Sequence, residues 1–264
     1  MLDFLKKTLC VLVDRHETVL VLREGWVEKT ARVISRLPHA ATGDFSFPMA
    51  GLRDGLAGAG LTRLPVRMVI HESWMRIWSV PAPSNASKMA DFDAACSMRF
   101  QAIFDEALHG WVWQSSPTSH SAFMACAIRR ELASDIEAAT KQAGLYLVSV
   151  EARCIASWNR WQATMTKNAW HGLSTGDVVV LCISDAGQLV QVRPLQFGAV
   201  ERSNPQWLEQ ATTREAARLN VALPKALEVC GPLPAKWLEA SGSDFKLRRL
   251  SHSSGAADIF GVAA

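Results

Sequence analysis

Three groups of residues in this 264-residue chain have the types and spacing to do chemistry. Gly172-Leu-Ser174-Thr-Gly176 matches the Gly-x-Ser-x-Gly pattern of a nucleophilic serine, and Asp185 and His252 follow in the order Ser, Asp, His. That pattern works where the serine sits on a sharp turn that leaves a strand and opens a helix. Here the apolar run Asp177-Val-Val-Val-Leu-Cys-Ile183 comes straight after it, so the segment leads into a strand and reads as a loop. Asp14, Glu72 and Asp177 stand at the ends of apolar runs and could be gathered into a nuclease-like carboxylate cluster, although lone acids at strand ends are ordinarily solvated or capping groups. The third group is the turn Arg15-His16-Glu17. A turn that cradles phosphates needs glycine, because backbone N–H groups must approach without a Cβ in the way. Asp14-Arg-His-Glu-Thr18 contains none, and a hairpin turn tolerates polar residues in any case. Six cysteines lie far apart without a Cys-x-x-Cys pair, and the seven histidines have no metal-ligand spacing, a pattern of buried reduced thiols with no metal site expected.

The elements that must position these residues alternate along the chain. Thr8–Asp14 and Thr18–Arg23 predict an antiparallel hairpin, with a third strand over 26–33 and a short glycine-weakened helix over 48–57. Strands are predicted at 65–70 and 75–80, the second stopped by Pro81-Ala-Pro83, because proline removes a ladder donor. From Ser87 as N-cap, Met89, Phe92, Cys96, Phe100, Ile103 and Phe104 recur at helical steps. Strands at 111–113 and 121–127 precede a helix with Ile128, Leu132, Ile136 and Ala139 on one face, closed by Gly144, and a strand at 145–150. The second half has a hairpin at 177–193, a helix from 205 to 219, a strand at 226–230, a short helix from Pro234 and a strand at 245–250. Trp74 with Trp78, and Trp158 with Trp161, read as core packing ahead of a partner-binding aromatic anchor.

Composition fits an ordinary globular protein, with 49% hydrophobic and 20% charged residues. A formal charge of +3 without a basic stripe argues against nucleic acid. Asp14 ends the first apolar run too early for a secretory segment, and no run approaches a membrane span, so a cytoplasmic location without direct membrane insertion is expected.

Both halves run hairpin, helix, strand. Three stretches carry a resemblance: Phe4-Leu-Lys-Lys-Thr-Leu-Cys-Val-Leu-Val-Asp14; Ala143-Gly144-Leu145 with Glu151, Ala152, Ala156 and Arg160; and Gly187-Gln-Leu-Val-Gln-Val-Arg193 with Gly198. In order and spacing the chain resembles the actin-like cytoplasmic proteins of type IV pilus and type II secretion systems, the PilM, GspL and MshI group. The resemblance implies an α/β, actin-like ATPase (ribonuclease H-like) fold of two lobes with an inserted α+β subdomain and a reduced second lobe. The divisions expected are 1–72 for the opening of the first lobe, 73–144 for the insertion, 145–160 for the return and 161–264 for the second lobe.

In that fold paired hairpins grip the phosphates of ATP, and this chain departs from the phosphate-loop pattern Asp-x-Gly at Asp14-Arg15-His16. A vestigial nucleotide site would use Asp14, Asp185, Gly187 and Gly231, unless Asp185-Ala-Gly187 belongs to the following turn and Leu173-Ser-Thr-Gly-Asp177 takes the loop. No cofactor is expected, and ATP with Mg should bind poorly. The implied function is a non-catalytic cytoplasmic adaptor, peripheral to the inner membrane. Its partners would be an inner-membrane pilus or secretion protein, through a short cytoplasmic tail, and the assembly ATPase. The alternatives are an ATP-binding, weakly hydrolysing protein of the same fold and, third, a small-molecule hydrolase using Ser174.

Overall fold

The structure is a computed structural model that describes residues 7–25, 30–39, 46–84, 86, 88–117, 121–175, 177–239, 245–251 and 255–261. Strands β1 (Lys7–Val13) and β2 (Glu17–Glu24) form the expected hairpin, and their Val- and Leu-rich runs are buried on both faces, as interior strands require. Strand β3 (Thr30–Pro38) pairs antiparallel with β2, while the start expected for it at 26–29 lies outside the described residues. Helix α1 (Met49–Gly58) then crosses to β4 (Pro65–Ile70), which runs parallel to β1. Gly55 makes the crossing possible, since a Cβ there would come within 2.7 Å of the Leu37 side chain.

A smaller sheet interrupts this lobe. Strand β5 (Met75–Val80), helix α2 (Met89–Phe104), β6 (Trp111–Ser115) and β7 (Phe123–Arg129) form a three-stranded sheet in the order β5-β7-β6, with a core that includes Trp78, Phe100, Trp111 and Phe123. The N-cap of α2 is Lys88 and not the expected Ser87, which lies outside the described residues. Helix α3 (Arg130–Gln142) returns the chain, and Gly144 at φ 72° closes it in the left-handed conformation that the C-terminal cap demands. Strand β8 (Tyr146–Ala152) completes a five-stranded sheet in the order β3-β2-β1-β4-β8.

Helix α4 (Arg153–Trp161) passes to the second lobe and packs on strands of both. There β9 (Ala169–Ser174), β10 (Val178–Asp185), β11 (Gln188–Gln196), helices α5 (Ala199–Ser203) and α6 (Trp207–Leu219), β12 (Ala226–Cys230), α7 (Ala235–Leu238) and β13 (Lys246–Ser251) build a second five-stranded sheet, β11-β10-β9-β12-β13. Helix α8 (Ala256–Phe260) turns back onto α4 and β2. The two sheets repeat one plan: an antiparallel trio followed by two strands parallel to the first. This is the actin-like α/β fold.

One expectation changes. The hairpins at 8–23 and 177–193 do lie in separate sheets, but they are not counterparts, because β9 precedes the second one. The 177–193 hairpin is β10–β11, the equivalent of β2–β3, with β11 on the sheet edge. Ala169-Trp-His-Gly-Leu-Ser174 contains no β-branched residue, so local preference hides it. All six residues are buried between two neighbours, and that burial makes it a strand. Trp78 and Trp158 are core residues, while Trp74 and Trp161 are half-buried. Five cysteines are buried, Cys126 is partly so, and all six are free thiols. Among the described residues no helix is long and apolar enough to cross a membrane.

Candidate functional site

In the first lobe β1, β4 and β8 run parallel and end in register, Val13 beside Ile70 and Ile70 beside Ala152. The next residues therefore emerge together at the carboxyl ends of the strands, where open α/β sheets place their ligands. They are Asp14, the pair His71-Glu72, and Arg153. Arg153, the first residue of α4, is 1% exposed, yet its Nη1 donates to Asp14 Oδ2 at 2.5 Å and its Nη2 to Glu72 Oε1 at 3.2 Å. A guanidinium out of water costs several kcal/mol unless paired, and two carboxylates supply that pairing.

Burial alone would raise the Glu72 carboxyl, but Arg153 and His71 outweigh it and hold the acid below the usual carboxylate range. Burial likewise works against the charge on Arg153, and Glu72 and Asp14 reverse it, so the guanidinium stays firmly protonated. His71 is pushed below its ordinary value by burial, with Glu72 drawing it partly back. Its Nδ1 accepts from the Ser73 backbone N–H at 3.1 Å, and its Nε2 lies 4.0 Å from Asp14 Oδ1. Asp14 Oδ1 in turn accepts from the Arg15 N–H at 2.7 Å.

The second lobe presents the matching strand ends, with Leu173 beside Cys230 and Cys230 beside Ser251. The groups at these ends are neutral. Ser174 is fully buried and its hydroxyl donates to the Pro232 carbonyl. Gly231, at φ 104°, donates its N–H to Ser251 O at 3.0 Å. The two sets of strand ends face each other across a cavity of about 480 Å³. Asp14, Arg15, His16, His71 and Glu72 form one wall, and Thr175, Asp177 and Pro232 the other. Met75, Ile77 and Phe104 of the insertion and Val180, Val192 and Pro194 of the second lobe supply apolar surface, with Ser73, Arg76 and Gln196 among them.

Of the residues singled out from sequence, Asp14 lies in this cleft and Gly231 adjoins it through Pro232. Asp185 and Gly187 are elsewhere, at the tip of the β10–β11 turn, lining a separate hollow with Asn168 and Lys225. Ala186 at φ 48° and Gly187 at φ 81° give that turn the left-handed backbone of a tight hairpin, so its glycine serves the hairpin. Thr175 and Asp177, in the turn between β9 and β10, are what faces Asp14, and Gly176 between them lies outside the described residues. Among the described residues no hydrolase constellation is assembled either: Ser174 is bonded to Pro232 and Asp185 is at the far end of β10, while His252 lies outside the described residues. Asp14 and Glu72 do meet, but around Arg153, with Asp177 on the opposite wall. Among the described residues no group of three or more His, Cys, Asp or Glu side chains could hold a metal ion.

Arg153 is the residue that sequence reasoning misses. The expected strand stops at Val150, two residues short, which leaves Arg153 out of line with Asp14 and Glu72. ATP with Mg fits this wall poorly. Arg15 and His16 side chains line the cleft beside Asp14, and two of its three carboxylates, Asp14 and Glu72, already hold a guanidinium.

No family model and no curated protein matches the chain. Solved structures do. The cytoplasmic domain of EpsL, an inner-membrane component of the type II secretion system of Vibrio cholerae, aligns over 97% of this chain and 93% of its own, with 13% identity and a TM-score of 0.62. A PilM–PilN type IV pilus biogenesis complex aligns over 91% and 87%, with 13% identity and a TM-score of 0.64. A Bacteroides thetaiotaomicron protein with an actin-like ATPase fold and unknown function aligns over 90% and 88%, with 9% identity and a TM-score of 0.59. At these identities the likeness establishes the fold.

Proposed function

We propose that the protein is a non-catalytic adaptor at the cytoplasmic face of an inner-membrane pilus or type II secretion platform. Its cleft takes a short extended segment of an inner-membrane protein, and another surface engages the assembly ATPase. The observation that carries this reading is the cleft itself: apolar surface from the insertion and the second lobe, interspersed with polar groups such as Arg76, Gln196 and Asp177, and carboxylates already bound to Arg153. That composition suits an extended peptide, whose side chains need apolar contact and whose backbone needs a few fixers. Further support comes from the fold, shared with an inner-membrane secretion component and with a pilus biogenesis complex. The vestigial nucleotide residues reduce in this reading to Asp14 and the Gly231-Pro232 bend.

Co-expression with the pilus or secretion membrane proteins and the assembly ATPase of the same genome tests it. Capture should be lost in Ile77→Arg, which places a charge in the cleft, and kept in Leu223→Arg, at an exposed site on the other hollow. Failure to capture any of these partners, each confirmed present, would sink the adaptor role. Micromolar Mg-ATP binding that disappears in Asp14→Ala would favour the ATP-binding alternative.

A further inference from the structure

We propose that Arg153 is a resident counter-cation: its guanidinium occupies the place between Asp14 and Glu72 that a divalent metal ion would otherwise take, so the two carboxylates share a cation without any metal. The inference rests on the non-catalytic reading of the cleft and adds how that state is held.

The geometry is specific. Two carboxylates leave the ends of adjacent parallel strands and converge on one cation, each through a different arm of the guanidinium fork, at 2.5 Å and 3.2 Å. Paired carboxylate oxygens at such a point are the ligand type that Mg²⁺, Mn²⁺ and Ca²⁺ select. The side chains of Asp14 and Glu72 are 22% and 13% exposed, whereas that of Arg153 is 1% exposed. The guanidinium therefore sits behind the carboxylates and cannot swing into the cleft to admit an ion. An arginine suits this better than a lysine, because its planar fork serves two acids at once and keeps its charge when buried. Glu72 Oε2 is buried with no hydrogen-bond partner, so one oxygen is left for a cation if the arginine is taken away. The second lobe has no acid at the equivalent positions, Ser174 and Pro232, and its one acid in the cleft, Asp177, stands on the opposite wall away from this pair.

The test uses the full chain, with Mn²⁺ followed by paramagnetic resonance and thermal unfolding read with and without Mn²⁺ or Ca²⁺. The wild-type chain should show no bound Mn²⁺ and no shift of its unfolding midpoint. Arg153→Ala should unfold at lower temperature, recover part of the loss on adding either ion, and bind Mn²⁺ stoichiometrically. Arg153→Ala combined with Glu72→Gln should lose both recovery and binding. If Arg153→Ala does not fold in metal-free buffer, refolding in Ca²⁺ decides: recovery of folded chain supports the proposal, and none overturns it. Mn²⁺ bound by the wild-type chain and released in Asp14→Asn would overturn it too, as would an Arg153→Ala chain indifferent to every divalent ion. A wild-type chain that captures its membrane partner yet binds Mn²⁺ removes this inference and leaves the adaptor role intact.

Discussion

The two lobes share a strand order and differ at the one place where that order matters. In the first, the parallel strands end in Asp14, Glu72 and Arg153, three charges within hydrogen-bond reach. In the second, the same ends give Ser174 and the Gly231-Pro232 bend, joined by one neutral hydrogen bond. The helices differ as well: the first lobe enters its last strand from α3, thirteen residues long, and among the described residues the second has the four-residue α7 between β12 and β13. Topology thus decides where side chains can meet, and residue type alone decides whether they form a charged lock or a neutral seam.

The sharpest way to break this contrast is to remove the lock. Arg153→Met keeps the length and loses the charge, leaving two half-buried acids unpaired, and should cost about 3–5 kcal/mol in urea unfolding at neutral pH. A loss under about 1 kcal/mol would mean that the cluster behaves like a surface ion pair.

Next in size is a pH effect from the second lobe. His171 is fully buried on β9, with Nε2 2.8 Å from the Ser157 hydroxyl on α4, and burial pushes it from an ordinary 6.5 to about 4. A folded value below the unfolded one means that the fold prefers the neutral ring. Its contribution is therefore complete above pH 6.5 and is lost as the pH falls toward 4, by about 3 kcal/mol in all. Chemical unfolding at pH 7 and pH 4.5 should show a steeper loss in the wild type than in His171→Gln. Glu72, held below its ordinary 4.5, is lost only at lower pH, so the lock should outlast the contribution of His171 in acid.

A smaller change probes the neutral counterpart directly. Ser174→Ala removes the bond to Pro232 and should cost about 1 kcal/mol, several-fold less than the arginine substitution. Equal costs at the two strand ends would erase the distinction between the lobes. The smallest effect concerns helix ends. Helix α3 of the first lobe closes on Gly144, but α6 of the second closes on Asn220 at φ 52°. Asn220→Gly relieves that left-handed backbone and should raise stability by roughly 0.5 kcal/mol, read as a shift in the thermal midpoint.

Legibility in the sequence divides along similar lines. Runs such as Val11-Leu-Val13 and Val178-Val-Val-Leu-Cys182 announce buried strands whatever their surroundings, and the cap at Gly144 is legible from one residue. Strand β9 is not, because the run has no β-branched residue, Gly172 disfavours a strand, and the conformation is owed to neighbours distant in sequence. Helix α4 is hidden for a similar reason, since its burial depends on both lobes at once. Asp14 can be found as the acid closing an apolar run. Its partner Arg153 is 139 residues away and meets it only once three strands lie in register. Asp185 and Gly187 are misplaced for the opposite cause: a turn with glycine after an aspartate looks alike whether it cradles a ligand or merely reverses a chain.

Helix α8 closes the second lobe in sequence but packs in space on the first, where Ala256, Ile259 and Phe260 cover Leu12, Val19 and Val21. During synthesis the first sheet would emerge with that face covered only by Ala156 of α4 until the helix at the end of the second lobe is made. The apolar strands of β1 and β2 are then a transient sticky surface, the kind that holdase chaperones bind and that aggregates when synthesis outruns folding.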